Sequence, residues 1–94
     1  MIYKLRFHEL ALGEWKKLDG SVQIPLKKKL AERLENPRVP SAALSGMPDC
    51  YKIKLKGMGY RLVYRVEDEI LFVTVIAVGR RDKSQVYEAA KGRI

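Results

Sequence analysis

Two short stretches of this chain place cations where they can act on a phosphate. Tyr51-Lys52-Ile53-Lys54-Leu55-Lys56 alternates apolar and basic residues, and Tyr60-Arg61-Leu62-Val63-Tyr64-Arg65-Val66 follows after Gly57-Met58-Gly59. Alternation with a period of two is the pattern of a half-buried strand, and the glycines between read as a turn. Burying Tyr51, Ile53 and Leu55 on the same face as Tyr60, Leu62, Tyr64 and Val66 fixes the parity of the pairing. A two- or four-residue loop around Gly57 meets that condition; a three-residue loop does not. The register then gathers Lys52, Lys54, Lys56, Arg61 and Arg65 on the opposite face. Like charges on adjacent strands repel, so such a face is best tolerated where an anion belongs. A lone lysine on an outer strand serves solubility. Surfaces built for solubility usually mix both signs, however, and five cations without an interleaved carboxylate point as much to a polyanion site.

A second basic group, Gly79-Arg80-Arg81, closes the apolar run Ile70–Val78, where a chain leaving the core can carry a side chain to the sheet edge. As the start of a helix the pair is disfavoured by the dipole. Tyr87, beside Val86, reads alone as a packing tyrosine. Next to a phosphate-binding face it becomes a stacking partner for RNA. His8 is the only histidine, so the paired histidines of many ribonucleases are excluded, and His8 reads as a surface or capping residue. No zinc-spaced Cys/His set, phosphate-cradling glycine loop or Ser/His/Asp arrangement is present. Glu67-Asp68-Glu69 reads as a charged turn rather than a metal cage, and no metal or cofactor is expected.

The elements that must position these residues follow from periodicity. Ile2, Tyr3, Leu5 and Phe7 make a short first strand. Ala11, Leu12, Trp15 and Leu18 recur at helical spacing, and Asp19-Gly20-Ser21 ends that helix and caps a second. In the second helix Val22, Leu26, Leu30 and Leu34 form one stripe, with Pro25 expected in or near the first turn and Asn36-Pro37 as the stop. The span 37–50 holds three prolines and no periodicity, as in a loop that packs over something. Strands over about Tyr51–Lys56, Tyr60–Val66 and Ile70–Val78 come next. The last is nearly all apolar, as a central strand covered on both faces should be. A short helix through Tyr87 and Ala90, capped by Asp82 or Ser84, ends the chain. The fold class is α+β: a single-domain sandwich over residues 1–94. A mainly antiparallel sheet of about four strands carries two N-terminal helices and a short C-terminal one.

Composition bounds the partners. Nineteen Lys+Arg against eleven Asp+Glu leave a net charge of +8, and 47% of residues are hydrophobic. Ninety-four residues suffice for one core with little to spare. The charge calls for an acidic partner: nucleic acid, a membrane surface or an acidic protein. No apolar run approaches a membrane span, and the first residues lack the pattern of a signal peptide. A single cysteine, Cys50, cannot form an internal disulfide. A cytoplasmic location is expected.

Met47-Pro-Asp-Cys-Tyr-Lys-Ile-Lys-Leu55, Gly59-Tyr-Arg-Leu-Val-Tyr64 and Val78-Gly-Arg-Arg-Asp-Lys-Ser-Gln-Val-Tyr87 closely resemble the RelE toxins of bacterial and archaeal toxin–antitoxin pairs. Ala11-Leu12, Glu14-Trp15 and Leu26-Lys-Lys-Lys-Leu30 extend the resemblance over nearly the whole chain. The resemblance implies a metal-independent endoribonuclease that cuts mRNA in the ribosomal A site. A ribose 2′-hydroxyl attacks the adjacent phosphodiester, leaving a 2′,3′-cyclic phosphate and a 5′-hydroxyl and stopping translation. It nominates Lys52, Lys54, Arg61, Arg81 and Tyr87 as catalytic, with Lys56, Arg65, Arg80 and Lys83 as RNA-binding neighbours. Ser45 stands where relatives can carry a basic residue, which removes one phosphate contact from the long loop. Two other readings are ParE-like binding of DNA gyrase without cleavage, and a non-catalytic RNA-binding module.

The physics of such a site is separable from the resemblance. Without paired histidines, a lysine is the candidate base, and bringing it from about 10.4 to about 7.5 requires roughly 4 kcal/mol. Neighbouring cations push in that direction. Arg61 and Arg81 suit a pentacoordinate transition state, where planar forks stabilise growing negative charge. Arginine scarcely deprotonates in water, so Arg81 is a poor general acid. The resemblance also implies an acidic RelB-like antitoxin that covers the basic face and competes for the groove of the final helix. DNA is reached only indirectly, through the antitoxin, and no membrane partner is expected.

Overall fold

The computed structural model describes residues 2–80 and 85–94. Strand β1 (Lys4–Phe7) leads into helices α1 (Glu9–Lys16) and α2 (Gly20–Glu35); β2 (Cys50–Leu55), β3 (Tyr60–Glu67), β4 (Phe72–Arg80) and helix α3 (Gln85–Arg93) follow. The sheet order is β1-β4-β3-β2. β1 runs parallel to β4, and the other two pairs are antiparallel.

Local chemistry explains the helix boundaries. His8 is the N-cap of α1, its Nδ1 accepting from the Leu10 amide at 3.1 Å. Asp19 caps α2, accepting from the Ser21 amide at 3.0 Å. That cap starts α2 at Gly20, so Pro25 lies inside the helix rather than in its first turn. The missing amide would have met the carbonyl of exposed Ser21, where water can substitute.

Both faces of the sheet are covered. Val22, Leu26, Leu30 and Leu34 of α2 pack with Ala11 of α1 on Tyr51, Ile53, Leu62, Tyr64, Val66, Val73, Val75 and Val78. On the other face Val86 and Ala90 of α3 lie with Met47, Cys50, Val63, Ile76 and Ala77. The long loop joins the layers at the β2 edge: Ala42, in a 3-10 turn, enters the first core and Met47 the second. Ala43 bridges to Tyr51 along that edge. The final strand starts at Phe72, later than periodicity suggests, because Leu71 takes a left-handed conformation (φ 57°) in the preceding turn.

The register of β3 with β4 shifts between Val63 and Tyr64, which face Ala77 and Val75 and leave Ile76 as an extra residue. A bulge of this kind changes which face each later side chain meets. Val75 and Val78 therefore both point to the α1/α2 layer, and Ala77 and Gly79 to the α3 layer. Among the described residues no helix is long and apolar enough to cross a membrane.

Candidate active site

The hairpin closes through a four-residue loop, Lys56–Gly59, between the paired residues Leu55 and Tyr60. Gly59 sits at φ 68°, a left-handed conformation that favours glycine. Lys54 stands directly opposite Arg61, and Lys52 opposite Val63, on the α3 side of the sheet. Arg61 is 9% exposed and is anchored by a 3.0 Å bond from Nη1 to the Tyr60 carbonyl. Tyr87 packs half-buried against the cluster that contains Val63, so it shares that side. The structure thus brings Lys52, Lys54, Arg61 and Tyr87 to one face.

Their electrostatics are uneven. The Lys54 ammonium is pushed below the ordinary lysine value, first by the Lys52 charge beside it, then by desolvation and by the charges of Arg61 and Lys56. Like charge disfavours the protonated form. This crowding singles out Lys54.

The remaining nominated residues fall elsewhere. Lys56 is in the loop rather than the strand, where it lines a groove with Lys52 and Lys54. Arg65 is on the same face as Lys54 but opposite Cys50. Four residues at about 3.3 Å each place it roughly 13 Å along the strand from Arg61. There it borders a cleft with Arg38, Asp49, Glu67 and Asp68. The five-cation face is therefore a cluster of three with Lys56 at its margin. Arg80 pairs with Tyr60 and lays its guanidinium over that ring at 5.6 Å. Tyr60 belongs to the α1/α2 layer, so Arg80 does not join the cation face. Arg81 and Lys83, with the cap residues Asp82 and Ser84, lie outside the described residues.

Helix α2 contributes what periodicity did not reveal. Lys29, Glu32 and Arg33 of α2 line a groove of about 380 Å³ together with Lys52, Lys54 and Lys56 of the hairpin and Ser41 of the long loop. Lys29 and Arg33 are four residues apart on one helix face, a spacing that would have flagged them. Arg33 Nη1 also donates to the Lys52 carbonyl at 3.2 Å and to the Tyr64 hydroxyl at 2.8 Å. The Tyr64 hydroxyl in turn donates to the Pro37 carbonyl at 2.7 Å, and its ring stacks on Tyr51 at 5.7 Å. This chain of bonds ties α2, the long loop and β2 together behind the lysines. Tyr64→Phe is expected to cost about 1–3 kcal/mol, because it leaves the Arg33 guanidinium and a buried carbonyl short of a partner. Urea unfolding of the two proteins checks this; equal midpoints would show the hydroxyl to be idle.

The charged turn is structural. Glu67 pairs with Arg6 and accepts from the Thr74 hydroxyl, and Asp68 takes Arg38 and the Tyr3 hydroxyl. Among the described residues no group of His, Cys, Asp or Glu can hold a metal ion.

A sheet of this order, helical on both faces and cation-rich at its hairpin, makes a small basic α+β domain. Residues 5–85 match the family described as "ParE toxin of type II toxin-antitoxin system, parDE", and the chain belongs to this RelE/ParE family. The mRNA interferase toxin RelE of Escherichia coli (strain K12) is 57% identical over 94 residues, covering 100% of this chain and 99% of the relative. A free arginine-to-alanine double variant of E. coli RelE superposes with a TM-score of 0.92 at 56% identity, covering 100% of this chain and 99% of the other. The same variant in complex with a peptide of the antitoxin RelB gives 0.84, again at 56% identity with 100% and 99% covered.

Proposed function

We propose that this chain is a toxin that cleaves mRNA in the ribosomal A site without a metal ion. The observation that carries the reading is the juxtaposition of Lys54 with Arg61 and Lys52 on one face of the hairpin. Lys54 takes the ribose 2′-proton as the 2′-oxygen attacks phosphorus, and the P–O5′ bond breaks with the 5′-oxygen taking a proton from water. Lys52 and Arg61 stabilise the charge that gathers on the phosphate, and Tyr87 stacks on a base. Arg81 is assigned to the same phosphate from the family resemblance. Lys56 and Lys83 extend the backbone contacts, with Lys29 and Arg33 continuing the basic track. Arg65 and Arg80 would meet RNA only beyond the scissile nucleotides. The likeness to mRNA interferase RelE over the full chain supports this reading.

Residues 1–94 act as one domain, with a RelB-like acidic antitoxin as partner. Solved RelE–RelB complexes of this family support that partner, as does electrostatic complementarity to a +8 surface. An mRNA substrate on the ribosome places the toxin in the cytoplasm.

The test is a cleavage gel with one short mRNA, presented free in EDTA and in programmed ribosomes in their usual magnesium buffer, with Arg61→Ala as control. Cleavage confined to the ribosome and lost in Arg61→Ala is the expected result. Cleavage of free RNA would make the chain a self-sufficient nuclease. Silence in both would replace the reading with gyrase binding.

A further inference from the structure

β1 accompanies β4 only part of the way. Phe7 pairs with Val75, and the His8 amide donates to the Val75 carbonyl at 2.8 Å, after which the chain turns into α1. The bulge then presents the Ile76 carbonyl and the Val78 amide to an edge that β1 does not reach. Side chains meet them instead. Glu14 Oε1 of α1 accepts from the Val78 amide at 3.2 Å, and Arg93 Nη1 of α3 donates to the Ile76 carbonyl at 2.9 Å. Glu14 and Arg93 are themselves joined twice, Nη1 to Oε1 and Nη2 to Oε2, both at 2.9 Å.

Arg93 is the more sheltered of the two: its side chain is 14% exposed and that of Glu14 34%. Burial pushes the Glu14 carboxyl up, but the bonds from Arg93 and the Val78 amide outweigh it and hold the carboxyl below its ordinary value. A forked arginine–carboxylate pair fixes orientation as well as distance.

α3 depends on such a fixing point. Its nine residues are too few to hold a helix in isolation, and only Val86 and Ala90 are buried. Val86 is seated where β4 carries no side chain: a Cβ at Gly79 would lie 3.2 Å from its Cγ2. Val86 and Ala90, with half-buried Tyr87 and Ala89 beside them, locate the start and middle of the helix, but none of them fixes its last turn. Arg93, in the last turn, supplies the third point, where the dipole also favours a cation.

We infer that Glu14 and Arg93 are positioning residues for RNA cleavage, locking α3 to the uncovered β4 edge so that Tyr87 stands over Lys52, Lys54 and Arg61. The inference rests on the reading of that face as the cleavage site. Because displacement of a contacting group by about 1 Å can cost up to about 100-fold in rate, the effect should fall on kcat. The lysines that bind the RNA backbone are untouched, so KM should hold.

A double-mutant cycle on programmed ribosomes tests it, with Arg93→Met and Tyr87→Ala singly and together, at a temperature where urea titration shows every variant folded. The expected result is a loss of tenfold or more in kcat for Arg93→Met (from the same misplacement estimate) with KM unchanged, and partial recovery in Arg93→Lys. In the Tyr87→Ala background Arg93→Met should cause no further loss. Glu14→Gln, which keeps an acceptor for the Val78 amide but discharges the pair, should act in the same direction and serves if Arg93→Met fails to fold. Equal losses with and without Tyr87, or no loss, would overturn the proposal alone. Tyr87→Ala leaving kcat unchanged would overturn it together with the reading beneath it.

Discussion

Lys54→Ala is expected to lower the single-turnover rate of mRNA cleavage by about 100- to 10,000-fold, the range over which a positioned general base contributes. The pH dependence distinguishes this role from a purely electrostatic one. A lysine must be neutral to take a proton, so the rate should rise with pH as Lys54 deprotonates. An ordinary lysine would place that rise near 10.4. The neighbouring cations push Lys54 below its ordinary value, Lys52 foremost, and so bring the rise toward neutrality. Lys52→Met removes the largest of these influences and should move the inflection to higher pH, in addition to any loss of transition-state charge. Lys54→Ala should abolish the inflection. Rates measured from about pH 6 to about pH 11, past the ordinary lysine value, decide the matter. An inflection indifferent to Lys52 would end the assignment of Lys54 as base.

The same repulsion has a sign for stability. The folded state holds the Lys54 proton less tightly than the unfolded chain, so the fold gains as pH rises from the lowered value toward the ordinary one. Bound phosphate opposes the crowding and should raise the inflection in the ribosome complex relative to the free toxin. The cation face is thus least comfortable when empty, which suits a surface that spends its life against RNA or an acidic antitoxin.

The largest effect on stability is expected from Leu26→Ala. Leu26 is fully buried in the stripe that packs α2 on the sheet. Truncation there removes apolar surface and leaves a cavity, for about 2–5 kcal/mol. A chain of 94 residues has a small total stability to draw on. At about 4–8 °C per kcal/mol for a domain this size, the melting midpoint should fall by at least about 8 °C. Ile24, two residues earlier but 71% exposed, should tolerate the same change within about 0.5 kcal/mol. Thermal unfolding followed by circular dichroism checks both. Equal losses at the two positions would mean that α2 is not seated as described.

Much of this protein can be read before its fold is known. Alternation in Tyr51–Lys56 and Tyr60–Val66 requires both apolar sets on one face, and that parity puts Lys52, Lys54 and Arg61 on the other, with a loop of two or four residues between the strands. The four-residue stripe from Val22 to Leu34 requires a buried helix face, and the apolar run to Val78 requires a strand covered twice. These are local constraints, in which a periodicity of 2 or 3.6 admits one solution.

The tertiary structure decided what such patterns cannot carry. Strand parity assigns a face but not a position along it, so Arg65 ends among carboxylates, far from Arg61. The extra residue at Ile76 is a property of two paired strands and is invisible in either. It aims the Ile76 carbonyl and Val78 amide at groups distant in sequence, Arg93 and Glu14. Arg33 and Lys29 join the basic groove only because α2 crosses β2 at that height. Charge and period are written residue by residue along the chain, whereas edges, crossings and the partners of exposed backbone groups exist only once remote segments have packed.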